Sequence, residues 1–116
     1  MLPVELARHL DGNQARLLLS VPPDLFWFRG HFPAQPLLPG VAQLDWVMHY
    51  GCLLLAAGWR FSRVDNIKFQ QPIAPGRTLS LALEWRSDRQ QLAFAYSLAD
   101  GETEKTASSG KISLCR

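Results

Sequence analysis

Apolar positions recur with two different periods along this chain, and the change from one to the other predicts its elements. Residues 14–21, QARLLLSV, read as a strand, which Pro22 and Pro23 end because neither can donate to a sheet ladder. An aromatic cluster follows (Phe26, Trp27, Phe28), then the loop GHFPAQPLLPG. Pro33, Pro36 and Pro39 exclude helix or central strand there, so the loop should be rigid and extended. Pro39-Gly40 opens a helix over about residues 40 to 57, ending near Gly58. Val41, Leu44, Trp46, Val47, Met48, Cys52, Leu53, Leu54 and Leu55 make it apolar nearly all round, with Gln43, Asp45 and His49 as polar exceptions. Such a helix is expected to be buried on most sides. Four strand-like segments come next, roughly 61–70, 77–86, 91–99 and 104–114, separated by Ala74-Pro75-Gly76, Ser87-Asp88 and Asp100-Gly101. LSLALEW and LAFAYSL alternate as a half-covered antiparallel sheet requires. The pattern predicts an α+β fold, a curved antiparallel sheet wrapped around one long central helix.

Length and composition narrow the function classes. With 116 residues there is room for one domain, 1–116, large enough to bury a core without disulfide or metal staples. A net charge of +2 with no basic tract makes nucleic acid an unexpected partner. Cys52 and Cys115 lie far apart and show neither zinc-site spacing nor a disulfide framework. The first ten residues hold no apolar run of signal-peptide length. The greasiest segment, Trp46 to Ala57, is interrupted by His49 and falls short of the ~20 residues a membrane span needs. A soluble, reduced, cytoplasmic protein is expected.

The stretch from Arg29 to His49 carries the candidate chemistry. Its string GHFPAQPLLPGVAQLD, residues 30–45, resembles the β-hydroxyacyl-acyl-carrier-protein dehydratases of fatty-acid synthesis. Their Gly-His-Phe loop, Pro-hydrophobic-hydrophobic-Pro-Gly turn and helical acid correspond to His31, to Pro36-Leu37-Leu38-Pro39-Gly40 and to Asp45. FQQPIAPG, residues 69–76, resembles the family's downstream strand-and-turn signature, and the likeness runs from about residue 15 to the end. Ala34 stands where glycine is usual, Arg77 where an acid often follows, and His49 where glutamine is common. The short length and the tryptophans at 27, 46, 59 and 85 look similar to the dehydratases of aryl polyene pathways. The resemblance implies the hot-dog fold, substrates presented on acyl carrier protein, and a homodimer. Each of its two sites would take histidine from one subunit and acid from the other.

The reaction itself requires these residue types. Removing water from a 3-hydroxyacyl thioester means taking a proton from C2 and protonating the departing C3 hydroxyl. Neutral imidazole is a suitable acceptor near pH 7, which suits His31. Asp45 would orient the hydroxyl or donate to it, and on so apolar a helix it is expected to sit in a poorly solvated tunnel. Backbone N–H groups at a helix start can hold the charge that gathers on the thioester oxygen, which suits Gly40. Phe32, Pro39, Val41 and His49 are expected to line the substrate, His49 either orienting Asp45 or packing at the interface. Arg60, Arg63, Lys68 and Arg77 are available to meet an acidic carrier. Neither metal nor organic cofactor is needed. The competing readings are a hot-dog acyl thioesterase, whose acid would activate water, and a non-catalytic acyl-binding subunit.

Overall fold

A computed structural model describes residues 2–22, 38–99 and 104–116. Along them run β1 (Val4–Asp11), β2 (Gln14–Ser20), α1 (Gly40–Leu54), β3 (Arg60–Phe69), β4 (Thr78–Arg86), β5 (Gln91–Leu98) and β6 (Lys105–Cys115). The strands make one antiparallel sheet in the order β1-β2-β4-β5-β6-β3. Its inner face packs on α1, the hot-dog arrangement that the pattern predicts.

Alternation decides which face each strand turns inward. Leu17 and Leu19 on β2, Leu79 and Leu81 on β4, and Leu92 and Tyr96 on β5 are fully buried. Trp46, Val47 and Tyr50 of the helix meet this floor, each such side chain worth ~1.5–3 kcal/mol when taken out of water. Gly51 lies directly over Leu92, which occupies the space a Cβ would need.

Three features differ from the expectation. Residues 4–11 form a strand, β1, because the two-residue loop Gly12-Asn13 turns the chain back onto β2. Gly12 sits at φ +60°, which suits the first position of a tight hairpin. Asn13 then clips that loop to β4, its carbonyl accepting from the Trp85 N–H and its side-chain amide donating to the Trp85 carbonyl. Secondly, α1 stops at Leu54 rather than near Gly58, and the Leu55 and Ala56 N–H groups both donate to the Gly51 carbonyl. Thirdly, the helix is covered on most sides but not on all. Val41, Asp45, His49 and Leu53, spaced four apart, form one exposed stripe along its length.

β3 lies at the sheet edge and carries two register shifts, at Phe61/Arg63 and Val64/Asn66. Bulges of this kind blunt an edge against unspecific pairing. The residue extruded at the second, Asp65, accepts bonds from Ser113, Gln91 and Arg63, which hold its carboxyl down to about 2, Ser113 contributing most. The same distortion brings the Asn66 carbonyl over Gly110 of β6. A Cβ at Gly110 would collide with that carbonyl and come within 3.0 Å of Phe94. Gly110→Ala is therefore expected to cost about 1–3 kcal/mol through overpacking, measured by urea denaturation. An unchanged midpoint would mean that β3 yields freely at its bulge.

Candidate active site

Pro39 is the N-cap of α1, in extended geometry and with no side-chain cap. Its carbonyl accepts from the Ala42 and Gln43 N–H groups at 3.1 and 3.2 Å. The Gly40 and Val41 N–H groups are left without an acceptor among the described residues. No acidic residue sits in the first turn, so nothing there offsets the positive end of the helix dipole. An oxygen that gains negative charge can be held at such an end.

The FQQPIAPG stretch anchors the start of this helix in the fold. Leu38 donates its N–H to the Ile73 carbonyl at 2.8 Å, tying the residue before the cap to the second motif. Gly76, at φ +82°, turns the chain so that its N–H reaches the Val21 carbonyl, and Val21 in turn donates to Arg77. Gln70 and Gln71 both donate to the Ala107 carbonyl, which fastens the end of β3 to β6. The Phe69 ring then stands against Gly40, where a Cβ would lie 2.7 Å from its Cζ. Any larger residue would push the ring away. Between these parts opens a cleft of about 320 Å³, lined by Leu38, Gly40, Gln43, Phe69, Gln70, Gln71 and Pro72.

Asp45 lies little more than one turn beyond Gly40, on the exposed stripe of α1. Within the single chain it is open to solvent, so the poorly solvated tunnel expected for it is not formed by this helix and its sheet alone. The helix is apolar around Asp45, but the sheet covers only the opposite face, so that side depends on a further surface to exclude water. His49 is likewise exposed, and its ring meets Tyr50 edge-on at 4.9 Å. No hydrogen bond joins His49 to Asp45, so the orienting role considered for His49 has no bond behind it within the chain. Val41 is 58% exposed on the same stripe, and Pro39 lies at its head. The structure thus brings Pro39, Gly40, Val41, Asp45 and His49 onto one helix. His31 and Phe32 lie outside the described residues, as does the cluster Phe26, Trp27, Phe28.

The four cationic candidates for carrier contact divide in two. Arg60, Arg63 and Lys68 are exposed on β3, Arg63 paired with Asp65 at 2.8 Å, whereas Arg77 lies in the turn before β4. Gln43 is a polar residue that the sequence reading noticed only as an exception on the helix. It is buried against Ser108, a contact between residues far apart in sequence that no local pattern signals. A second groove, of about 490 Å³, lies over Ala82, Ala93 and Ala95, and none of the predicted site residues lines it. Among the described residues no cluster of histidine, cysteine and carboxylate side chains could hold a metal ion. No helix among them is long and apolar enough to cross a membrane.

Comparison with known proteins bears on what this arrangement does. Residues 7–111 match the ApeI-like family, described as ApeI dehydratase. The chain is similar over its whole length to a chain in the dehydratase heterocomplex ApeI:P from Xenorhabdus doucetiae. The two are 51% identical, with a TM-score of 0.93 and 100% of each covered. A crystal structure of a protein from Erwinia carotovora subsp. atroseptica is similar at 61% identity and TM-score 0.93, covering 99% of this chain and 97% of that one. The 3-hydroxyacyl-[acyl-carrier-protein] dehydratase FabZ of Sodalis glossinidius is 31% identical over 115 residues, 87% of this chain and 76% of that protein.

Proposed function

The chain belongs to the ApeI-like dehydratase family, the aryl polyene type of hot-dog dehydratase, and from that premise we propose that it removes water from 3-hydroxyacyl thioesters on acyl carrier protein. The products are trans-2-enoyl thioesters, made in polyene or fatty-acid synthesis. The observation that carries this reading is a shared exposed face. Asp45 stands on the stripe of α1 that begins at the Gly40 and Val41 N–H groups, which have no acceptor among the described residues. His31 takes the C2 proton, the helix start steadies the thioester oxygen, and Asp45 orients or protonates the leaving hydroxyl. Phe32, Pro39, Val41 and His49 line the substrate. The whole chain, 1–116, acts as one dehydratase domain, and its two free cysteines agree with a cytoplasmic setting.

The test is incubation with 3-hydroxyacyl-carrier substrates of varied length and aromaticity, read by mass spectrometry. Loss of water from the acyl group is expected. Release of free thiol without dehydration would instead identify a thioesterase, and binding without turnover a non-catalytic subunit.

The active unit is a homodimer in which a second copy covers the exposed stripe and lends His31 to the Asp45 of its neighbour. Val41 and Leu53 are each 58% exposed on that stripe, and Phe61 and Phe69 on the edge strand β3 are 50% and 57% exposed. Large apolar side chains left exposed in this way support a partner surface. His31→Ala and Asp45→Asn should each be inactive alone. Mixed and allowed to exchange, they should recover up to one working site per heterodimer. No recovery despite demonstrated exchange would place both residues in one subunit's site. The Xenorhabdus relative is in a dehydratase heterocomplex. A chain that stays monomeric alone and assembles only with a second dehydratase subunit would replace the homodimer with that arrangement.

A further inference from the structure

Gln43 is the fourth residue of α1 and only 4% exposed, on the face turned toward the sheet. Ser108 of β6, fully buried, donates from Oγ to Gln43 Oε1 at 2.7 Å. Tyr96 of β5 donates its hydroxyl to the Gln43 main-chain carbonyl at 2.6 Å, and Gln43 Nε2 donates to the Leu38 carbonyl at 3.3 Å. These partners decide which end of the amide is which. A serine hydroxyl can face either end, but the Leu38 carbonyl only accepts, so the nitrogen must be turned toward it.

An amide nitrogen carries two N–H bonds, and Leu38 engages one of them over a long contact. The other has no acceptor among the described residues, although Gln43 is buried and lines the cleft beside Gly40. A buried donor without an acceptor is costly, so the position calls for an acceptor arriving from outside the chain. Helical side chains lean toward the N-terminus, and residues three apart share a face, so this amide lies over the turn that carries the Gly40 N–H. The lining residues Leu38, Phe69 and Pro72 are apolar and none of the seven is cationic. Gln70 and Gln71 line it too, so its polar groups are all neutral, and neutral donors in a cleft without a cation suit a carbonyl oxygen better than a phosphate or carboxylate.

We propose that Gln43 is a catalytic residue whose second Nε2 N–H, beside the Gly40 N–H, holds the substrate's thioester oxygen. This rests on the dehydratase reading and adds a donor to it. When the C2–H bond breaks, the proton passes to His31 and the electron pair moves toward the thioester oxygen, where both donors meet it. The pair then returns to form the C2–C3 double bond as the C3–O bond breaks, and the hydroxyl leaves protonated as water. The Leu38 carbonyl, which can only accept, keeps the amide from turning its oxygen toward the helix start.

Gln43→Met keeps the side chain's length but cannot donate, and Gln43→Glu keeps an acceptor for Ser108 while removing the donor. Both should lower kcat on a 3-hydroxyacyl pantetheine thioester by about 10²–10³-fold, with KM changed far less. If one variant fails to fold, the other decides. A second readout is the carbonyl stretch of a bound, ¹³C-labelled saturated acyl pantetheine. Its lowering in the wild-type protein should shrink in either variant. Turnover within about threefold of wild type in a folded variant would overturn the proposal, judged against the ~10² expected for a lost donor. So would an unchanged carbonyl stretch. A wild-type protein that dehydrates nothing would sink the dehydratase reading instead, and the stretch would still test the donor.

Discussion

His31→Ala should dehydrate 3-hydroxyacyl thioesters at least ~10²–10⁴-fold more slowly than wild type, the range expected when a general base is lost, with folding little changed. Only three histidines are present. His9 sits on β1 and lines the groove over Ala82 and Ala93, away from the start of α1. His49 is exposed on α1 but follows Asp45 by a full turn, in contact with Tyr50. By the resemblance of GHFP to the family's loop, His31 is the proposed base, and alanine removes the imidazole that would accept the C2 proton. The same variant should also stop exchange of the C2 proton with deuterated solvent, which separates loss of proton transfer from slow product release. Near-normal turnover in folded His31→Ala would remove the central assignment.

Asp45→Asn should bind substrate about normally while losing most of kcat. The amide keeps the shape and a hydrogen-bond donor but cannot deliver a proton to the departing hydroxyl. The Asp45 side chain is exposed and has no bond or ion pair to lose among the described residues, so the substitution should leave the melting temperature of the isolated fold unmoved. That separates this residue from a structural carboxylate. Asp65, held by Ser113, Gln91 and Arg63, is the carboxylate whose removal should be felt in stability. If kcat and binding both stay near wild type in Asp45→Asn, Asp45 only orients the hydroxyl and the acid role must be dropped.

Much of this protein follows from local chemistry that the chain states outright. Pro39 cannot donate and holds an extended cap, so α1 begins at Gly40 whatever surrounds it. Turn residues bound the last four strands, which is why their expected limits fall within a residue or two of β3 to β6. The spacing of Gly40 and Asp45 along one helix needs no tertiary information. β1 was harder to read because VELARHLD is exposed throughout and shows no buried face. It becomes a strand through pairing with β2, which the Gly12-Asn13 loop makes possible.

What the sequence could not decide is what covers each apolar face. Val41, Trp46, Val47 and Leu53 look alike in a hydropathy pattern, yet the chain's own sheet buries only Trp46 and Val47. Val41 and Leu53 are left for another surface, and Asp45 and His49 lie between them. Burial depends on which elements close over a helix, and that is a property of strand order, not of local periodicity. The sheet runs β5-β6-β3, so it places Ser108 under Gln43 and Phe69 against Gly40, partners separated by long stretches of chain. The sequence by itself determined the helix, its uncapped start and the acid one turn on. The tertiary structure decided which side of that helix stays open, and which buried amide shares the cleft with its first N–H.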